Sequence, residues 1–350
     1  MMRGFGQCLF VVCVAAGTLV GARPARVQTP AASPVATATA DQILAAAHAA
    51  LGGDKLDAVK TFVVTGRTRR LQGSNLVPIE FEIACELPDK YVRKDEVPAQ
   101  ENDPTSRGFN GDKLIQIPAP AAPPAGARAA GPMPGAAGAT SAGTAPAGMM
   151  PPGRAGAPMS PPSPTTSVKQ DFARLTLGMF AKSFDSYPLT FTYIGQAETP
   201  QGGKADVLEV KGAANFQVRL FVNSATHLPV MIGWTQPRTP AQVVITVPGQ
   251  PKPSNLPAGA VVMEGPAAPG ASATPADKEA YTKAVQALQK DAMARPVEYW
   301  MFYADYRASE TPTFPHRMRR AVGGDTTEET TFDQFQVNAK INPKKFEPVK

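Results

Sequence analysis

The stretch FQVRLFVNSATHLPVMIGW, residues 216–234, decides the fold. Phe216, Val218, Leu220 and Val222 alternate with other residues, and after a polar turn Leu228, Val230, Ile232 and Trp234 do the same. A period of two gives two strands with one apolar face each, folded into a hairpin. The hairpin holds no charged pair, metal ligand set or nucleophile, so whatever it does rests on shape.

The same period extends outward. PLTFTYIGQAET and KADVLEVKG precede the hairpin, and VEYWMFYADY, FPHRMRRAVGG and DTTEETTFDQFQVNAKI follow it. Near the N-terminus KTFVVTGRTRR and LVPIEFEIACELPDKYVRKDE repeat the pattern, with Ile79, Phe81, Ile83 and Cys85 on one face and Glu80, Glu82 and Glu86 on the other. SRGFNGDKLIQI adds a hairpin turning at Asn110-Gly111. Further turns fall at Gly202-Gly203 and Gly323-Gly324. Nine or ten strand candidates joined by short links predict an antiparallel meander, not a doubly wound parallel sheet.

Three segments change to a helical period. DQILAAAHAALGG, 41–53, has Asp41 as its expected N-cap and Ile43, Leu44, Ala47 and Leu51 on one side. VKQDFARLTLGMFAKSF, 168–184, carries an apolar stripe of Val168, Phe172, Leu175, Met179 and Phe180. The helix expected over 277–294 is more polar. In VEYWMFYADY, Tyr299, Met301 and Tyr303 fall on one side and Trp300, Phe302 and Tyr306 on the other, which reads either as a central strand in a solid core or as the wall of an apolar cavity.

Composition bounds what can fold. Of 350 residues 37 are Pro and 30 are Gly, concentrated in two stretches, 118–167 and 236–275. Both lack the large apolar side chains that offset the entropy of ordering, so both are expected to be disordered inserts, the second interrupted by QVVITV at 242–247. Removing them and the N-terminus leaves roughly 220 residues, enough for one core.

Residues 1–22 have the form of a secretory signal: Arg3, the apolar run CLFVVCVAAGTLV, then Val20-Gly21-Ala22. The apolar run is shorter than the about 20 residues that span a bilayer. Residues 23–40 read as a flexible tether. Cys8 and Cys13 leave with the signal, and Cys85, on an apolar strand face, reads as a core residue rather than a nucleophile. The formal charge is +6. Arg67-Thr68-Arg69-Arg70 and Arg317-Met318-Arg319-Arg320 are suited to anionic lipid or lipoprotein head groups, and equally to a solvated strand face. Nucleic acid is excluded as a partner: no recognition helix or stacking platform accompanies the charge, and the chain is expected to be exported.

Reaction chemistry has little to stand on. His48, His227 and His316 each sit alone, so neither a metal nor a cofactor is expected. There is no nucleophile elbow, phosphate loop, dinucleotide motif or zinc-protease signature. Glu328 and Glu329 are adjacent and so face opposite sides of a strand, and they read, like Glu80 and Glu82, as solvated strand charge. The chain is expected not to be an enzyme.

Three groups of residues carry a resemblance. They are the helix ending Ala-Leu-Gly-Gly followed by KTFVVTGR, the segments KADVLEVKG and FQVRLFVNSATHLPVMIGW, and the closing FPHRMRR and EETTFDQFQVNAKINPKKFEP. In this order they resemble the outer-membrane lipoprotein carrier and sorting (LolA/LolB-like) superfamily, over roughly 41–117, 168–235 and 296–350. The last strand ends in Asn338, and Ile341-Asn342-Pro343 and Phe346 follow, as in that group. The resemblance implies an α+β fold: an open antiparallel β-barrel, a curved sheet of about 9–11 strands with helices covering its concave face, in a single domain over 41–350. It also implies a periplasmic location and an apolar cavity for acyl-bearing ligands.

Together these readings predict a non-enzymatic periplasmic carrier whose partner is the acyl chain of a lipid or lipoprotein. Phe81, Ile83, Leu220, Val222, Ile232, Trp234 and Phe302 are expected to line the cavity, covered by Leu175, Met179 and Phe180. Membrane contact is expected to be peripheral or transient. The alternative is an envelope interaction or sensor domain with a solid core, whose Pro-rich inserts dock a protein partner.

Overall fold

The computed structural model describes residues 39–72, 75–98, 100, 103–119, 162–200, 202–251, 253, 255–308 and 312–347. The expected signal at 1–22, nearly all of the 23–40 tether and most of the first Pro/Gly insert lie outside these residues. A helix, α1 (Ala40–Leu51), and a single helical turn, α2 (Asp54–Asp57), open the fold. Five strands follow: β1 (Thr61–Gln72), β2 (Asn75–Glu86), β3 (Lys90–Glu96), β4 (Thr105–Asn110) and β5 (Lys113–Ile117). The long helix α3 (Pro164–Phe180) leads into β6 (Leu189–Glu198), β7 (Lys204–Gly212), β8 (Phe216–Asn223) and β9 (Pro229–Gln236). An excursion then carries β10 (Val243–Thr246), β11 (Val261–Glu264) and α4 (Pro275–Ala294). The chain closes with β12 (Val297–Arg307), β13 (Phe314–Val322) and β14 (Asp325–Val337).

Twelve strands form one antiparallel sheet in the order β5-β4-β3-β2-β1-β14-β13-β12-β9-β8-β7-β6. It is two meanders joined where β14 returns to pair with β1, and β5 and β6 remain as separate edges. The sheet curls. α3 touches β4 and β5 at one edge, and also β9 and β13 far along the strand order, which a flat sheet cannot offer to one helix. Eleven residues of α3 are buried, on all sides of the helix, as required of a helix wrapped by sheet. α1 packs beside α3 and reaches β6.

The joint between the meanders explains the closing motif. Asn338 stands just past β14 with φ +55°. Its Oδ1 accepts the Lys60 N–H at 2.8 Å, and its Nδ2 donates to the Ala58 carbonyl at 3.0 Å. Asn342 then caps the short helical turn Pro343–Phe346. That turn buries Phe346 against Ala84, Val92 and Ile115 on the outer side of the sheet.

Several local expectations change. α1 is capped by Thr39, not Asp41: the Thr39 side chain accepts from the Gln42 amide and the Gln42 side chain from the Thr39 amide, so Thr-x-x-Gln forms a capping box two residues earlier. α3 starts at Pro164 with Ser163 as cap, inside the stretch read as low complexity, because proline is tolerated in the first turn. The second Pro/Gly stretch is partly built. Val243–Thr246 and Val261–Glu264 pair in parallel, since two β-branched runs supply the apolar surface that average composition concealed. Irregularities in the ladder also move two residues off their expected face. A register shift beside Val222 sends Val230 to the outer cluster, and Asp305, at φ +57°, returns Tyr306 to the inner face.

Candidate functional site

The inner face of the sheet has two zones. In the first, Phe62 and Val64 of β1, Ile83 of β2, and Leu220 and Val222 of β8 meet Phe172, Leu175, Met179 and Phe180 of α3 in one buried cluster. These side chains are shut off from solvent, none more than 4% exposed. Tyr303 donates its hydroxyl proton to the Arg174 carbonyl and Tyr306 donates to the Gly178 carbonyl at 2.7 Å, tying β12 to α3. Gly178 is required there, because a Cβ would come within 2.3 Å of the Tyr303 ring. Arg174 is carried into the same cluster, 8% exposed. Its guanidinium lies 4.6 Å from the Trp234 ring and 5.3 Å from that of Phe216, and burial lowers its pKa from the usual arginine value, opposed by Asp171 at 3.0 Å.

In the second zone the same inward positions turn polar. On β1, Phe62 and Val64 give way to Thr68 and Arg70; on β3, Tyr91 gives way to Arg93 and Asp95. On β14 the inward series from Phe332 continues to Thr330 and Glu328, and on β13 Met318 is followed by Arg320. The ladder sets these side by side: Arg70 opposite Glu328, Glu328 opposite Arg320, Thr68 opposite Thr330, Arg93 opposite Arg107.

Hydrogen bonds knit the polar zone together. Arg70 Nε donates to Glu328 Oε2 at 2.8 Å, Arg93 Nε to Asp95 Oδ1 at 2.6 Å, and Arg93 Nη2 to Thr68 Oγ1 at 3.3 Å. Arg93 also lies 4.6 Å over the Phe81 ring. Burial alone would raise the Glu328 carboxyl, but Arg320, Arg93 and Arg70 outweigh it and hold the pKa at about 2. Burial likewise works against the Arg93 charge, and Asp95 and Glu328 more than offset it, so its pKa rises.

A cavity of about 1120 Å³ opens over this zone. Arg70, Arg93, Arg107 and Arg320 line it with Asp95, Asp171 and Glu328, and the first turns of α3 form one wall at Pro164, Ser167 and Val168. Its floor is apolar: Tyr91 and Val168 belong both to the cavity lining and to the main buried cluster.

The structure places the ten expected ligand residues as follows. Phe81, Ile83, Leu175, Met179, Phe180, Leu220, Val222 and Ile232 come together in the inner cluster, and Trp234 packs against it. Phe302 lies on the opposite face, with Ala205, Val207, Phe221, Met231 and Ala321, because its neighbours Met301 and Tyr303 take the inward positions. None of the ten lines the cavity.

Sequence reading missed the charged zone. Glu328, read as solvated, is 6% exposed, and each arginine run is split by the strand into outward Arg67, Arg69, Arg317 and Arg319 and inward Arg70 and Arg320. The signal was parity. Thr68 and Arg70 continue the phase of Phe62 and Val64, and Arg93 and Asp95 that of Tyr91. Cys85 is fully buried, and burial raises its pKa. His48 faces Asp57 at 3.1 Å, and His316 Nδ1 is 2.9 Å from the Phe332 carbonyl. No group of three or more potential metal ligands occurs among the described residues, and no described helix is long and apolar enough to cross a membrane.

The fold is thus an unclosed antiparallel sheet curled around helices. No family model matches the sequence, and no curated protein matches it. Among solved structures, a LolA superfamily protein from Nitrosomonas europaea is similar over 89% of this chain and 98% of its own, at 11% identity and TM-score 0.44. An outer membrane lipoprotein-sorting protein domain from Vibrio parahaemolyticus is similar over 88% and 97%, at 7% identity and TM-score 0.40. Neither likeness assigns a residue or a ligand to this chain.

Proposed function

We propose that this chain is a non-enzymatic periplasmic protein that binds the acyl chain of a lipid or lipoprotein inside its curled sheet, in the manner of a carrier. The observation that supports this best is the floor of the cavity. At Tyr91 and Val168 a cavity of about 1120 Å³ borders the main buried cluster, so a hydrocarbon tail passing between them leaves the charged lining for mainly apolar side chains. Each buried methylene contributes about 0.8 kcal/mol, so affinity grows with the length of tail that leaves water. The inner zone is filled by α3, so a longer tail requires α3 to shift, and Leu175, Met179 and Phe180 are the side chains it displaces. Export through residues 1–22 supplies the compartment.

The filled inner zone also favours the other reading, an envelope interaction or sensor domain with a solid core. Native mass spectrometry of protein purified without detergent, together with titration of a dansyl-labelled undecanoic acid, separates the two. A carrier takes up one probe molecule per chain, and Val168→Thr, similar in shape but polar, weakens uptake while a cooperative thermal transition is retained. A clean unliganded mass with no probe uptake rejects the carrier.

A further inference from the structure

Arg93 and Arg107 face each other directly across β3 and β4. Like charges placed opposite on one sheet face cost stability. Arg93 is tied down by Asp95 and Thr68, but the Arg107 side chain, at the exposed mouth of the cavity, makes no hydrogen bond or ion pair among the described residues. Arg320 repeats the pattern on the far wall. It stands 3.8 Å from Glu328, and its buried Nε has no hydrogen-bond acceptor.

The charge count of the lining has the same sense. Asp171 is committed to Arg174, which lies outside the cavity, at 3.0 Å. Four guanidiniums therefore face two carboxylates, Asp95 and Glu328, leaving two positive charges in surplus. The wall formed by α3 adds to this. A 17-residue helix presents its N-terminal turn at Pro164 and Ser167, and that turn carries no acidic residue to neutralise it. Thr105, Ser106 and Gln116 supply neutral donors at the rim.

We propose that this cavity seats a phosphate monoester, held by Arg107 and Arg93 beside the N-terminus of α3 with Arg320 adding positive charge from the far wall, and that the phosphate is the headgroup of the acyl ligand. The second half rests on the carrier reading. A phosphate monoester carries a charge of about −1.5 to −2 near neutrality, which matches the surplus, and guanidinium forks fit its oxygens in pairs. The headgroup then neutralises the Arg93–Arg107 repulsion, and the tail passes between Tyr91 and Val168 to the apolar floor.

Isothermal titration of the full chain with three probes tests this: dioctanoyl phosphatidic acid, dioctanoylglycerol and inorganic phosphate. The expected result is that phosphatidic acid binds at least about tenfold tighter than dioctanoylglycerol. Arg107→Ala removes most of that preference, Arg107→Lys keeps part of it, and added salt weakens only the phosphate-bearing probe. Arg107 anchors nothing else described, so these variants report on the anion rather than on folding. Equal binding of the two lipids overturns the phosphate site and leaves the carrier reading standing. Inorganic phosphate binding as tightly as phosphatidic acid, with dioctanoylglycerol unbound, upholds the anion site and rejects the carrier. Absence of binding by all three overturns both.

Discussion

Glu329 faces Arg69 on the outer side of the sheet and is exposed, whereas Glu328, one residue earlier, is 6% exposed and hydrogen-bonded to Arg70. The pKa of Glu328 has a direct thermodynamic consequence. Its folded value, about 2, lies below the ordinary 4.5, so its contribution is fully present above about pH 4.5 and is lost as the pH falls through about 2. The shift corresponds to about 3 kcal/mol. Urea unfolding between pH 5 and 2 should therefore show the native chain losing about that much more stability than Glu328→Gln; parallel curves would remove the arginines' hold on this carboxylate. Gly178 offers a second single-residue test. A methyl group there meets a Tyr303 ring that its own hydrogen bond to Arg174 prevents from yielding, so Gly178→Ala should cost about 1–3 kcal/mol by overpacking, read as a lowered urea midpoint.

At the scale of elements, β9 and β12 are neighbours in the ladder, with Gln236 directly opposite Val297. The residues between them leave the sheet and return to the same place, as an inserted excursion does. Replacing residues 237–296 by Asn-Gly, a two-residue hairpin turn, should leave a cooperative thermal transition, with the circular dichroism signal reduced by the helical contribution of α4. Loss of cooperative unfolding would mean that the excursion is part of the core. The elements were largely legible beforehand, because each depends on local period and local caps. The hairpin from Phe216 to Trp234 and the turns at Gly111 and Gly323 follow from alternation and from glycine at positive φ. What escaped were breaks in alternation, at Val230 and Tyr306, where a register shift or one residue at positive φ changes the face. Neither leaves a mark in composition.

For the whole molecule, strand period and turn chemistry determined that this chain forms an antiparallel sheet with apolar helices against it, since both are properties of neighbours in sequence. They also determined which residues share a face, within the limits set by bulges. Which part of that face is filled, and which part overhangs as a cavity, was decided only by the curl of the sheet around α3. That curl depends on contacts between residues more than a hundred positions apart, such as Tyr303 with Arg174. The same long-range closure sets Arg70, Arg320 and Glu328 side by side from two ends of the chain. Burial and charge pairing depend on distance in space, so the charged cavity came into view only with the tertiary fold.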